Sequence, residues 1–360
     1  KLGKELTGPE YAAVYEAEVK KRSIKVYYET TVLKVSKNKE VVATNKNGIL
    51  KFNAKAVVLA MGCRERSRGA LNIAGTRPAG VFSAGTAQKL INCEGFSVGK
   101  KVVILGSGDI GLIMARRMSL EGAEVLAVCE IMPYSGGLIR NKVQCLEDFN
   151  IPLYLSTTVC EIHGDERLTG VSIAEVDQNR QVIEKTKRFI ECDTLLLSVG
   201  LIPENELTSE AGIALSSVTS GALVDEMRQT ETEGIFACGN VLHVHDLVDY
   251  VSDEAEMAGM GAAMYVKGQK RDGKAVSTCA GNGIRYVLPQ ILHITNEDVS
   301  LFMRVTKPFG KVRITVKSGE EVLGSIVRLK AAPGEMERVN IKGEKLKNIN
   351  DDITVSLEEI

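Results

Sequence analysis

Residues 101–130 read KVVILGSGDIGLIMARRMSLEGAEVLAVCE. The first five, KVVIL, form a short apolar run rich in β-branched residues, the pattern of a strand buried on both faces. Gly106, Gly108 and Gly111 follow in G-x-G-x-x-G spacing, with Ser107, Asp109 and Ile110 between them. The amphipathic run IGLIMARRMSLEGA predicts a helix ending at Gly122, and EVLAVCE predicts a second strand closing at Glu130. Strand, glycine turn, helix, strand and acid stand in the order that dinucleotide binding needs. Gly106 permits the tight turn, Gly108 lets backbone approach a pyrophosphate, and Gly111 lets the helix pack close on the strand. The helix N-terminus offers free N–H groups and a positive dipole end to the phosphates. Glu130 can accept ribose hydroxyls and would repel a 2′-phosphate. No Arg or Lys follows it before Arg140, so the pattern predicts NADH over NADPH.

On either side of this unit the chain repeats itself. IKVYYETTVLKV at 24–35 returns as IPLYLSTTVCEI at 151–162. Around the second copy the pattern predicts a helix in SGGLIRNKVQCLEDFN, a strand in PLYLS, a meander with turns at HGDERLTG and DQNRQ, and a closing strand TLLLSVG at 194–200. Around the first it predicts a helix in PEYAAVYEAEVKKRS, a strand in KVYYE, a meander turning at SKNKE and NKNG, and a closing strand AVVLAMG at 56–62. The chain thus holds two back halves of a dinucleotide-binding domain but one front half. The expectation is a further strand, glycine loop and helix before residue 1, roughly 30 residues or more. The stretch 232–266 predicts a buried strand, a Gly-Asn turn, a loop, and a helix rich in Ala, Gly and Met.

Composition narrows the class. With 44% hydrophobic and 25% charged residues over 360 positions, the chain is globular and long enough for two or three domains. A net charge of −1 invites neither nucleic acid nor an anionic membrane. No apolar run is long enough to span a bilayer. The 8 cysteines include no C-x-x-C pair, which argues against a zinc site or redox dithiol and for reduced core residues in the cytoplasm. From about residue 275, VSLFMRV, KVRITVK, EVLGSIVRL, MERVNI and ITVSL alternate between Gly, Pro and Asn turns, predicting a small antiparallel β-sandwich.

Taken in order, these motifs resemble the pyridine nucleotide-disulfide oxidoreductase superfamily, flavoproteins with one FAD and one NAD(P)H domain. The resemblance covers about residues 1–268. It implies an α/β fold of two Rossmann-like domains, the FAD domain (1–97 and 216–268) interrupted by the NAD domain (98–215), with the first FAD βαβ unit missing and the β-domain at 275–360. In that frame GSGDIG, Glu130, Val199 and Gly200 meet NAD. Met61 and Gly62 end the other closing strand beside FAD. GIFACGN is similar to the second FAD motif, bringing Gly239 and Asn240 to the flavin's ribityl chain. Asn240 stands where the superfamily usually has Asp, keeping hydrogen bonding but losing charge. The loop HVHDLVDYVS, 243–252, brings His243, His245, Asp246 and Asp249 near the ring, and the N–H groups of Tyr250, Val251 and Ser252 open a helix toward it. His-x-His-Asp is no established metal spacing, so local hydrogen bonding or proton delivery beside the flavin is expected there, and no metal. Cys63 follows the FAD-side strand as a single thiol, and Arg64, Arg66 and Arg68 read either as phosphate contacts or as a solvated face.

ELTGPEYA, AMGCRERSRGALNIAG and GNVLHVHDLVDYVS are most similar to the branch that accompanies glycerol-3-phosphate dehydrogenase-like flavoproteins in bacteria, itself similar to subunits of hydrogen cyanide synthase, opine oxidase and sarcosine oxidase. This implies a bacterial, cytoplasmic FAD-dependent NADH oxidoreductase with a flavoprotein partner subunit. Two other readings stay open: a disulfide or peroxide reductase with its cysteine in the missing segment, and a non-catalytic nucleotide-binding assembly subunit.

Overall fold

The computed structural model describes residues 3–269, 273–347 and 349–360. The chain divides into two compact units, Lys1–Met61 with Asn205–Asp272, and Gly62–Glu204 with Gly273–Ile360.

The second unit is built on a five-stranded parallel sheet. Its order is Leu153–Tyr154, Glu124–Cys129, Lys101–Leu105, Thr194–Leu197 and Val81–Ser83. Successive side chains on a strand point to opposite faces, and here both faces are covered. Val102 and Ile104 pack with Leu112, Met114 and Met118 of the helix Asp109–Leu120 and with Ala84 and Ala87 of the helix Ala84–Asn92. Val103 and Leu105 pack on Val159, Ile162, Val171 and Ile173 of an antiparallel meander, Thr157–His163, Gly170–Glu175 and Arg188–Glu191. That is why KVVIL and TLLL read as unbroken apolar runs.

The C-terminal part of this unit is a sandwich of two sheets. One has the order Ile291–His293, Ala275–Ala280, Ile353–Glu359, Val312–Ser318, Glu321–Arg328, and the other Ile284–Leu288, Val299–Val305, Glu337–Ile341. They enclose one core that includes Val287, Leu301, Met303, Ile314, Val316, Val339 and Val355. Pairing is antiparallel except that Ala275–Ala280 runs parallel to Ile353–Glu359, with Thr278 opposite Ile353. The strands Ala275–Ala280, Ile284–Leu288 and Ile291–His293 precede the first segment whose alternation announced a strand.

In the first unit, the helix Gly8–Lys21 starts with a capping box, Thr7 against Glu10. An antiparallel meander follows, Thr31–Val35, Glu40–Asn45 and Gly48–Asn53, and then Val57–Leu59 pairs in parallel with Ile235–Ala237. The long helix Val248–Val266 packs Ala258 on Phe236 and Cys238. One expectation fails here: KVYYE forms no strand. Tyr27 and Tyr28 lie exposed and Glu29 has φ +49°. Aromatic and β-branched composition favours a strand only where a neighbour supplies the ladder, and among the described residues the Val57–Leu59/Ile235–Ala237 pair does not extend to this segment. No helix among the described residues is long and apolar enough to cross a membrane.

Candidate functional site

In the second unit the glycine turn forms as its spacing predicts. Gly106 has φ +103°, its N–H donates to the Cys129 carbonyl at 2.7 Å, and a methyl group on it would overlap the Ser198 carbonyl. At Gly111 an added carbon would run into the Gly106 carbonyl and reach the Ser198 Cβ at 2.9 Å, so the helix sits hard against the strand end. Gly108 caps the helix in extended backbone, and the space where its side chain would be is open. Ser198, just beyond Thr194–Leu197, donates its N–H to the Leu105 carbonyl at 2.7 Å, which brings Val199 and Gly200 to the strand ends beside the turn.

Glu130 is buried and bound into the turn. Its Oε2 accepts the Ser107 N–H at 2.9 Å and the Ser107 hydroxyl at 2.7 Å, and its Oε1 accepts the Met132 N–H at 2.9 Å. A carboxylate has about four lone-pair sites, so one remains for a ribose hydroxyl. Asp109 faces inward, its Oδ1 accepting the Leu138 N–H at 2.8 Å and the Asn141 side-chain amide at 2.7 Å. Ile110 packs on the helix-side core.

The two expected closing strands end at glycines of positive φ, Gly62 at +75° and Gly200 at +100°. Beyond them, Cys63–Glu65 pairs antiparallel with Leu201–Pro203. Arg64 pairs with Glu204 at 2.9 Å, the Arg66 N–H donates to the Gly200 carbonyl, and Arg68 donates to the Thr76 carbonyl. These contacts belong to the protein's own scaffold.

In the first unit, Met61 follows Val57–Leu59. Gly239, at φ +76°, opens the turn after Ile235–Ala237. Asn240 Oδ1 accepts the His245 N–H at 3.0 Å, a bond that an Asp would also make, so the departure from Asp keeps the turn. The helix Val248–Val266 opens earlier than expected, with Leu247 as its cap, so Tyr250, Val251 and Ser252 lie inside it: the Tyr250 N–H donates to the Leu247 carbonyl at 3.2 Å, and the Ser252 hydroxyl meets the Tyr11 hydroxyl at 2.7 Å. Beneath the turn lies a buried cluster centred on Glu254. Its Oε2 accepts the Gly239 N–H at 2.8 Å and lies 3.1 Å from His245 Nε2. Its Oε1 accepts Arg228 Nε at 2.8 Å and lies 3.4 Å from His243 Nε2.

Burial would raise the Glu254 carboxyl, but Arg228, then His243 and His245, hold it well below the usual carboxylate range. Burial drives the His243 imidazole down to about 4, so it is neutral at neutral pH. His243, His245 and Glu254 bring three potential metal ligands within 4.8 Å of one another. Arg228 already supplies the positive charge on that carboxylate, so the arrangement is an ion-paired hydrogen-bond cluster. His243 and His245 stood out in the sequence. Glu254 and Arg228 did not, because an acid on a helix and an Arg in a loop usually mark solvent-facing positions.

A glycine turn at the head of a covered parallel sheet, with an acid closing the second strand, defines a dinucleotide-binding α/β protein. The chain belongs to the pyridine nucleotide-disulphide oxidoreductase family, whose sequence model matches residues 3–263. It is 28% identical over 232 residues to the ferredoxin reductase component of chlorobenzene dioxygenase from Cupriavidus sp., covering 60% of this chain and 52% of that protein. It is 27% identical over 294 residues to an NADH oxidase of Methanocaldococcus jannaschii, covering 78% and 58%. The chain therefore spans a little over half the length of these relatives. Among solved structures it resembles T. acidophilum thioredoxin reductase in fold, with a TM-score of 0.60 and 23% identity over 75% of this chain and 84% of that one.

Proposed function

We propose that the chain is the core of an FAD-dependent oxidoreductase that takes electrons from NADH. The observation that supports this best is the glycine turn with Glu130 seated in it. The open space at Gly108, the helix N-terminus and the remaining lone pair of Glu130 fit the pyrophosphate and adenosine ribose of a dinucleotide. In this assignment Gly106, Ser107, Gly108, Asp109, Ile110, Gly111, Glu130, Val199 and Gly200 form the NADH side. Glu130 at this place favours NADH over NADPH by leaving no room or partner for a 2′-phosphate. Met61, Gly62, Gly239, Asn240, Tyr250, Val251 and Ser252 form the flavin side, where the positive-φ turn at Gly239 and the N-terminus of the long helix suit a flavin's polar chain.

When bound, nicotinamide and flavin together supply the hydride transfer, and the protein orients them and excludes water. The buried thiols do not suit disulfide chemistry. Burial pushes Cys129 and Cys192 up to about 12 and Cys238 up to about 11, so none is a thiolate nucleophile at neutral pH. The branch resemblance makes a glycerol-3-phosphate dehydrogenase-like flavoprotein the proposed partner.

The test is a visible spectrum of the whole natural protein incubated with FAD and freed of excess, before and after anaerobic NADH. A retained flavin band that bleaches with NADH, and more slowly with NADPH, is the expected result. Failure to retain flavin together with failure to bind NADH would sink the proposal.

A further inference from the structure

Three glycines from three separate segments stack beside the nucleotide turn. The first is Gly108, the helix cap. The second is Gly136, whose side-chain position would sit 3.9 Å from the Gly108 backbone. The third is Gly334, in the C-terminal sandwich, where a methyl group would overlap the Gly136 carbonyl.

The loop carrying Gly136 is fastened to the glycine turn at several points. The Gly136 N–H donates to the Ser107 hydroxyl at 3.0 Å, the Ser135 hydroxyl donates to the Ser107 carbonyl at 3.2 Å, and Asp109 accepts from Leu138 and Asn141. An added carbon at Gly137 would come within 3.0 Å of the Ser107 carbonyl. On the other side, the turn carrying Gly334 is held to its own domain. Arg304 donates to the Pro333 carbonyl at 2.9 Å, the Glu335 N–H closes on the Ala332 carbonyl at 3.0 Å, and Ala331 and Met336 are buried. Gly136 and Gly334 do not need positive φ. What their positions require is the absence of a side chain, which permits close backbone approach.

We propose that the C-terminal sandwich is a working part of the dinucleotide site. Its Ala332–Met336 turn is a strap that holds the 133–141 loop against the glycine turn, and Gly334 is its positioning residue. This rests on the NADH reading of that turn. A side chain at 334 displaces the Gly136 carbonyl and with it the loop bonded to Ser107 of the glycine turn, disturbing the backbone proposed to hold the pyrophosphate. The loss falls on nucleotide binding, since no group that reacts is touched.

The experiment compares wild type, Gly334→Ala and Gly310→Ala in the full chain. Gly310 lies in the same domain with open space around it, so it serves as the control. NADH affinity is read by fluorescence titration, and hydrogen exchange is followed in peptides covering 131–141. Gly334→Ala is expected to weaken NADH binding tenfold or more and to speed exchange in 131–141. With an artificial electron acceptor it raises KM for NADH and leaves kcat unchanged, a split that general loss of folding would not give. Gly310→Ala does none of these. Arg304→Met, which frees the strap without adding an atom at the contact, is expected to weaken binding by a smaller factor and covers the case in which Gly334→Ala does not fold. Wild-type affinity in both variants would overturn the strap. If wild type itself binds no NADH, the functional reading fails, and exchange in 131–141 decides the strap alone: no change in Gly334→Ala ends it.

Discussion

The repeated stretch IKVYYETTVLKV and IPLYLSTTVCEI has two fates in one molecule. In the second copy, Leu153–Tyr154 joins a parallel sheet through Val128 and Cys129. In the first, the matching KVYYE is irregular and exposed. The closing strands differ the same way: all four residues of Thr194–Leu197 are buried, whereas Val58 of Val57–Leu59 is 41% exposed. Similar residues thus give different packing, because a strand's burial is set by what covers its faces. The two units are held by different means. The second rests on large apolar layers on both sides of its sheet. The first buries Val35, Leu59, Ile213, Val224, Ile235, Val241 and Leu242 besides the apolar cluster at Phe236, and it alone carries, beneath the Gly239 turn, the charged knot at Glu254.

The largest expected effect tests the charged knot. Glu254→Ala takes from the fully buried Arg228 its carboxylate partner at 2.8 Å and removes the acceptor for the Gly239 N–H. Breaking one partner of a buried pair costs about 3–5 kcal/mol. Hydrogen exchange resolved by segment, under increasing urea, is expected to show Ile235–Ala237 losing protection early while Lys101–Leu105 keeps it. Loss in both at once would show that the units unfold together and erase the distinction.

Leu195→Ala addresses the other unit. Leu195 is fully buried between Val103 and the meander residues, and truncation there costs about 2–5 kcal/mol. The same exchange measurement is expected to show the mirror image, with Lys101–Leu105 weakened and Ile235–Ala237 unchanged.

Acid sharpens the contrast without a mutation, apart from its control. The folded-state pKa of His243 is lowered to about 4, so between its ordinary value of 6.5 and 4 the unfolded chain binds the extra proton. Stability contributed in this way is present above 6.5 and falls as pH drops toward 4, by on the order of 3 kcal/mol in all. Glu254, depressed below its ordinary value, adds a loss of the same sign below about 4.5. Protection at Ile235–Ala237 is therefore expected to decline between pH 6.5 and 4. A His243→Phe variant is expected to flatten that slope, and an unchanged slope would remove His243 as its source.

What the sequence alone revealed follows the range of the interactions involved. The glycine turn, its helix and Glu130 were readable because the spacing, the positive φ and the terminal acid all fall within thirty residues. The meanders and the alternating strands of the tail were readable for the same local reason. KVYYE misled because a parallel strand depends on neighbours far along the chain. The Glu254–Arg228 pair joins residues 26 apart, each of a type that usually marks the surface. The approach of Gly334 to Gly136 joins two unremarkable turns almost two hundred residues apart, and no spacing rule reaches that far.

The smallest expected effect bears most directly on the repeat. Val58 occupies, in AVVLAMG, the place that Leu196 occupies in TLLLSVG, and Leu196 is wholly buried. With Val58 41% exposed, removing its two methyl groups takes little surface out of contact and leaves no cavity. Val58→Ala is therefore expected to change the stability of its unit by no more than about 0.5 kcal/mol, the range of ordinary surface substitutions. The parallel ladder to Phe236 runs through the backbone and survives the change. A cost approaching that of Leu195→Ala would mean that this face is covered in solution. The two closing strands would then be held alike, and the contrast between the units would rest on the Glu254 cluster alone.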